Sequence, residues 1–426
     1  MVDNIETVTA TGTLVTEPPY LDETAKANGR KLDQMTAALL GMSSSLGVIA
    51  RSQTGVVEEM DYNAIKSVVA AGNAPAVFPV GTQLVNTYTG KDGKAYDCPW
   101  DVVKLDDIAE GETGTTAPAM VLQMHYASLE DIQFSAYQAF YVVQESGLAA
   151  GTYNVKMGLD WGTNVKTGTV YQFTLTKNAL AGARLTGFYN APDTAPTNWK
   201  VYVYKDQQKS ELLETCNVSA GSAGMNLGTF LAKPNGSLNG LHPVGYGDNR
   251  WRKSAYRQYL NSDAAAGAWW QPQDKWDMKP DQADTLPGFL SGFSDDFKNA
   301  LSRVKVVTYG NNVTDDGSAV VTYDKVFLPS LQEIYCSPQV SGDGTYWPYW
   351  KERTGAKTPQ DLWRTYPLRI TRDLAQRTVG RDVRLRSAYR GDGYDAFGVF
   401  SSGYVSVWNA THAVRSAPAC EMTTLD

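Results

Sequence analysis

The sequence predicts an α+β fold built mostly of short strands, on three observations. From Val77 onward the chain breaks into short alternating runs, FPVGTQL, YDCPWDVVKL and APAMVLQMHY among them, split by Gly, Asp and Pro. Helical patterns are few and carry identifiable caps or stops. The composition is 42% hydrophobic and 19% charged, with 38 Gly, 24 Tyr and 11 Trp, which suits a strand-and-loop globular protein and not a disordered one.

A chain of 426 residues has room for two or three domains. Its net charge of −7 argues against nucleic acid as the main partner. No 18-residue apolar run occurs, so no membrane span is expected. The opening stretch, MVDNIETVTATGTLVTEPPY, lacks a charged start followed by an apolar core, so no ordinary signal peptide is expected. Cys98, Cys216, Cys336 and Cys420 are far apart and form no CxxC pair, which argues against zinc or redox chemistry. Buried reduced thiols made in a reducing cytoplasm are the expectation, with one disulfide as the alternative.

Residues 1–75 read as an N-terminal arm and a helical oligomerisation or attachment region. The arm ends after Pro18-Pro19, and a helical pattern follows from Asp22. Leu32, Met35, Leu39, Met42, Leu46 and Ile49 recur at alternating spacings of three and four, the seam of a short coiled coil. An amphipathic helix packed on its own chain fits the same pattern. The coiled-coil reading predicts a homotrimer or other oligomer joined through this region. A second helix, DYNAIKSVVAAG, stops at Gly72 and Pro75.

Strands follow over residues 76–145, and SLEDIQFSAYQAFYVV opens with a Ser128-x-x-Asp131 pattern that can cap a helix. Residues 146–218 read as an inserted small β-sandwich, with antiparallel runs such as TVYQFTLTK and NWKVYVYKD. Trp161, Tyr171, Phe173, Trp199, Tyr202 and Tyr204 are its core or sheet-surface aromatics, and a carbohydrate-binding role for them is the alternative. Over residues 219–426, helices are expected near Tyr256–Leu260 and over Asp295–Arg303, the latter capped by Ser294. The stretch through Trp347, Trp350 and Trp363 reads as short strands and loops.

The most biased stretch is the last. From Arg377 to Cys420 there is no Lys, Glu, Gln or Met; these types number 21, 14, 18 and 10 in the chain, so 44 average residues would hold six or seven. A Gly/Ser-rich β region would also lack long charged side chains, since strands disfavour Lys and Glu. Arginines crowd this half of the chain: Arg364, Arg369, Arg372, Arg377, Arg381, Arg384, Arg386 and Arg390. Ion pairs with Asp361, Asp373 and Asp382 are expected for them ahead of a phosphate or nucleic-acid patch.

Four segments in order, NRWRKSAYRQYLNSD, GFLSGFSDDFKNAL, DKVFLPSLQEIY and LRSAYRGDGYDAFGVFSSGYVSVWNATHAVRSAPAC, resemble a C-type-lectin-fold domain (formylglycine-generating-enzyme-like) of gut phages and bacteria. More narrowly, they are similar to the variable proteins of diversity-generating retroelements. The resemblance covers about Phe78–Glu145 and Ser219–Cys420, with 146–218 as an insertion; it implies one domain over residues 76–145 and 219–426, with a variable ligand-binding region over residues 383–420. In that family a reverse transcriptase misreads template adenines, so AAY codons become NNY. Such codons cannot encode Lys, Glu, Gln, Met or Trp.

On that resemblance the variable, ligand-binding positions are Asp392, Tyr394, Asp395, Gly398, Phe400, Ser402, Tyr404, Ser406, Val407, Thr411, His412 and Val414. The framework between them is Arg386, Ser387, Gly391, Ala396, Phe397, Val399, Gly403, Val405, Ala410, Arg415, Pro418 and Cys420, together with Trp408, whose codon holds no adenine. Alternate strand residues share a face, so Phe400, Ser402, Tyr404 and Ser406 are expected in solvent over packed Val399, Gly403 and Val405. Val407 breaks the alternation and calls for a bend or bulge beside it.

Three histidines, His125, His242 and His412, accompany no HExxH, GxSxG, Gly-rich phosphate loop or paired-carboxylate motif. His125 is expected in a core strand and His242 in a turn. The cysteines are not placed as in the oxidases of the same fold. Trp408-Asn409-Ala410 lacks the acidic ligand of calcium-dependent lectins. No cofactor is expected; calcium at Asp315, Asp316 or Asp343 is the exception considered. The expectation is therefore a binding protein and not an enzyme. As a phage tail protein, it would assemble with other tail proteins into the virion and bind a bacterial surface receptor, protein or glycan. A bacterially encoded surface or secreted binding protein is the alternative, and a glycan-active enzyme the third reading.

Overall fold

The computed structural model describes residues 56–57, 61–136, 141–143, 147–157, 168, 170–186, 200–206, 209–221, 224–230, 241–243, 248–273, 277–312 and 316–425. The arm, the Leu32–Ile49 seam and the trimer inferred from it lie outside these residues, as do Trp161, Trp199 and Asp315. The fold is α+β, mostly strands with a few short helices.

The central sheet has six strands in the order β1 (Val56–Val57), β2 (Gln83–Thr89), β3 (Ala95–Glu110), β4 (Thr116–Met124), β23 (Ala419–Thr423) and β16 (Val326–Phe327). The strand that closes it, β23, pairs antiparallel with β4 on one side and β16 on the other. Helix α1 (Tyr62–Ala70) begins where Asp61 accepts a hydrogen bond from the Ala64 N–H (3.0 Å), and it buries Ile65, Val68 and Val69. Short helix α2 (Ala74–Val77) follows. Helix α3 (Ala255–Leu260) is capped by Ser254 and α4 (Asp295–Ala300) by Ser294, the latter ending three residues before the expected Arg303.

Helix α5 (Pro348–Thr354) lies where loops and strands were expected. Its signals are Pro348 at the first turn and Gly355 in the left-handed conformation at its end. The expected helix after Ser128 does not form. Ile132 and Phe134 are buried with a spacing of two, and Ile132–Gln133 (β5) pairs with Ala413–Val414 (β22).

The main hydrophobic core runs from Ile65 to Leu425 and contains no residue between Phe134 and Trp251. At its centre Phe297 meets Tyr62, Trp100 and Phe293 at ring-centroid distances of 5.8, 5.6 and 4.8 Å. All four cysteines are buried and unpaired.

The residues between form an eight-stranded sheet in the order β12 (Met225–Phe230), β7 (Gly151–Met157), β8 (Val170–Leu175), β11 (Leu212–Ala220), β10 (Lys200–Tyr204), β9 (Arg184–Thr186), β6 (Tyr141–Val143) and β13 (Leu241–Pro243). In place of two separately bonded sheets, β11 pairs with β10 through Leu212–Asn217 and with β8 through Val218–Ala220, linking two halves. The sheet extends past residue 218 because β12 adds in parallel to β7. Tyr171 and Phe173 are buried within it and Tyr202 is exposed. His242, expected in a turn, is in β13.

Three small sheets complete the chain: β14 (Val304–Tyr309) with β15 (Ala319–Asp324), β17 (Thr371–Arg372) with β18 (Gly380–Arg381), and β19 (Val383–Ala388) with β20 (Asp395–Val399) and β21 (Val405–Asn409). No helix among the described residues is long and apolar enough to cross a membrane.

Phe297→Ala removes the ring on which three aromatic neighbours converge. It is expected to lower the unfolding free energy by about 3–5 kcal/mol in urea titrations, with little change in the denaturant slope.

Candidate functional site

Every residue of β19 is buried, including Arg384, Arg386 and Ser387. Among the described residues Arg384 makes no ion pair with a carboxylate. Its Nη1 donates to the carbonyls of Ala396 and Trp408, both at 3.0 Å, and its Nη2 to those of Asn409 (3.0 Å) and His412 (3.1 Å). The planar fork thus bonds β20, β21 and the turn after β21 at once. Burial pulls its pKa down to about 10, and the Trp408 ring lies 5.4 Å away.

Arg386 makes the buried ion pair of this sheet, gripping Glu333 with both terminal nitrogens and donating to the Leu328 carbonyl at 2.7 Å. It can do so because β19 leaves the β20 register between Arg384 and Ala388, and the Arg386 N–H bonds to Pro329 instead. Asp373 binds both Arg381 (2.6 Å) and Arg415. The other expected ion pairs resolve differently. Asp361 faces Arg364 at 3.6 Å in solvent, and Asp382 accepts the Ser401 N–H at 2.6 Å. Arg369 goes to Gln360 and to the carbonyls of Ile334 and Tyr335.

Strands β20 and β21 pair in unbroken register, Asp395 with Asn409 through Val399 with Val405. One face therefore carries Ala396, Gly398, Ser406 and Trp408, and the other Phe397, Val399, Val405 and Val407. Phe400 stacks on Trp408 at 3.8 Å between centroids, and Tyr404 meets Phe400 edge-on at 5.8 Å. Phe400, Tyr404, Ser406 and Trp408 form one half-exposed surface, with Ser402 exposed at the turn. Gly403 is held in the left-handed conformation (φ +82°) with its would-be Cβ 2.3 Å from the Tyr366 carbonyl oxygen, so only glycine fits there.

Three expected contact positions differ. No bulge accompanies Val407; the unbroken register turns it to the Phe397 side, half-buried against the core. Gly398 is buried, and a Cβ there would lie 2.1 Å from the Trp408 ring, which leaves no room for a side chain. Val414 is 5% exposed because β22 pairs with β5.

The turns beside the sheet carry the remaining positions. Asp392 accepts the N–H groups of Tyr394 (2.9 Å) and Asp395 (2.7 Å). Burial, and then the adjacent Asp392 charge, push the Asp395 carboxyl up to about 7. Asn249 is fully buried beneath this turn, its Nδ2 donating to the carbonyls of Tyr389 (3.1 Å), Asp392 (3.1 Å) and Asp395 (2.8 Å). The Tyr394 carbonyl accepts the Ala410 N–H at 2.7 Å. Thr411 is half-buried, its carbonyl held by Gln133 at 3.0 Å, and His412 is exposed. Asp316 bonds to Ser318 and Asp343 is buried against Ser387; among the described residues no group of three His, Cys, Asp or Glu side chains could hold a metal ion.

Asn249, Arg384 and the segment over residues 363–366 are parts of the site that sequence reasoning missed. Trp363 donates its N–H to the Val405 carbonyl (3.0 Å) and exposes 45% of its surface beside Phe397. The signal for Arg384 was an arginine within the apolar run VRL; nothing local marks Asn249.

Two measurements check this account. Arg384→Ala strands four carbonyls and is expected to cost at least about 3 kcal/mol by chemical denaturation, whereas Arg384→Lys keeps the charge without the fork and recovers only part. Asp395 binds its proton more tightly folded than unfolded, so its stabilising contribution is complete below about pH 4 and lost as the pH rises to about 7. Asp395→Asn is expected to shrink the fall in Tm between pH 5 and pH 8. Some dependence should remain, because burial also raises Asp343 to about 6 and Glu421 to about 8.

Residues 229–422 match a family described as a domain of unknown function, DUF6273. No curated protein and no solved structure matches the chain. The matched stretch contains the whole candidate site but not β2, β3 and β4, which complete the sheet that β23 closes.

Proposed function

We propose that the chain is a ligand-binding protein whose β20–β21 sheet and adjoining turns display exchangeable side chains on a fixed C-type-lectin-like scaffold. In this reading it is a variable protein diversified by a retroelement, acting in a phage tail to bind a receptor on the bacterial surface. The observation that carries the reading is the division of one short stretch by burial. Ten of the twelve contact positions are half-buried or exposed, all but Gly398 and Val414, while ten of the thirteen framework positions are buried, all but Gly391, Trp408 and Arg415. A surface of Phe400, Tyr404 and Trp408 beside Ser402 and Ser406 combines large contact area at small entropy cost with adaptable hydrogen bonding, the logic of antibody paratopes. Assembly through the N-terminal region would add avidity to a weak individual site.

Sequencing the DNA flanking the gene tests the diversification directly. A reverse transcriptase gene and a near-copy repeat differing at adenines are expected, and without them that part of the reading fails. Binding to whole bacterial cells, read by flow cytometry, tests the surface. Tyr404→Ala and Phe400→Ala are expected to weaken it about tenfold or more. Tyr404→Ala should leave Tm nearly unchanged, and Phe400→Ala should cost about 1 kcal/mol from the lost stacking. Val405→Ala, a core truncation, is expected to cost about 2 kcal/mol and act on binding only through folding.

A further inference from the structure

A second concave region lies where His125, after β4, meets α5 and the segment over residues 370–378. This cleft of about 340 Å³ is lined by His125, Tyr126, Arg353, Ile370, Arg372, Arg377 and Thr378. Three of the seven residues are permanent cations, a fourth is a histidine, and none is an acid, in a chain whose net charge is −7.

Among the described residues these cations are only partly neutralised by neighbours. The guanidinium of Arg372 makes no hydrogen bond or ion pair among the described residues and is exposed to solvent. Arg377 donates to the Asp97 carbonyl at 3.1 Å and lies 5.2 Å over the Tyr126 ring, with the Asp97 carboxylate no closer than 3.9 Å. Arg353 donates to the Leu368 carbonyl (3.0 Å) and to the Tyr349 hydroxyl (2.6 Å).

Behind the cleft sits one buried carboxylate, Asp101, 3% exposed. Its Oδ2 accepts from the Tyr349 hydroxyl (2.7 Å) and pairs with His125 Nδ1 (2.7 Å), and its Oδ1 accepts from Gln83 (2.9 Å). Asp101 thereby orients His125 directly and Arg353 through Tyr349. With Nδ1 engaged, Nε2 is the ring nitrogen left for the cleft.

We propose that this cleft is a fixed oxyanion site, separate from the exchangeable surface, that takes the phosphate group of a small phosphorylated ligand through Arg353, Arg372, Arg377 and His125. Arginine forks match tetrahedral oxyanions by paired, charge-assisted hydrogen bonds. The volume is at the small end of ligand sites, about 300–1,000 Å³, which suits a phosphorylated fragment of glycerol or single-sugar size.

Isothermal titration of the full chain with inorganic phosphate, glycerol 3-phosphate and glycerol tests this. Saturable binding of the two phosphates and none of glycerol is expected. Arg372→Ala should weaken it about tenfold or more, while Arg303→Ala, an exposed arginine outside both the cleft and the candidate surface, should leave it unchanged. Because the Arg372 side chain makes no hydrogen bond or ion pair among the described residues, its loss should not disturb folding, which an unchanged Tm will verify. Tighter binding of the ester supports a phosphorylated ligand; equal or tighter binding of inorganic phosphate supports the oxyanion site and overturns the ester as its occupant. Absence of saturable binding, or equal losses in the two variants, overturns the site altogether.

Discussion

The buried guanidinium of Arg384 is the constraint on which the candidate surface depends. Four carbonyl dipoles from three segments compensate its charge, so it needs no acidic partner in a low-dielectric interior. Asn249 repeats the device under the 389–395 turn, and Gln133 does so at Thr411. All three bind backbone oxygens of the candidate surface. Asp395, Thr411 and His412 are therefore held in place by atoms that every amino acid supplies. Their side chains can differ without removing those bonds, which is the physical property a replaceable contact surface requires. Asp392 is the exception, because its own carboxylate accepts the Tyr394 and Asp395 N–H groups that shape the turn.

Much of the fold was legible. The stop at Gly72 and Pro75 and the cap at Ser294 are local signals that located α1 and α4, and the period-two runs of β2 to β4 are equally local. What escaped depends on distant neighbours. The Ser128-x-x-Asp131 pattern is a helix signal overridden by pairing of β5 with β22, nearly three hundred residues away. In the site, alternation located Phe400, Tyr404 and Ser406, but not the depth of Gly398 under the Trp408 ring or of Val414 beside β5. Charge counting foresaw carboxylate partners for the arginines. It could not foresee that for Arg369 and Arg384 carbonyls would point the right way.

The eight-stranded sheet lies in the chain between two parts of the main core. Strands β6 and β13, its entry and exit, pair with each other, so the chain leaves and returns at nearly one place. Its buried residues, such as Val155, Phe173 and Val203, form contacts apart from the main core. Closure of a long loop whose ends already meet adds little conformational cost, and growth inside it leaves the candidate surface untouched.

Strand β23 lies between β4 and β16, yet it comes after the whole candidate surface in the chain. During synthesis the central sheet cannot close until the stretch from Val383 to Val414 has emerged and β23 has reached its slot. Any replacement in that stretch that prevents it from packing withholds the last strand and leaves the edges of β4 and β16 open. The topology thus couples the two: a substitution in the surface that is incompatible with its packing also leaves strand edges unpaired and open to proteolysis.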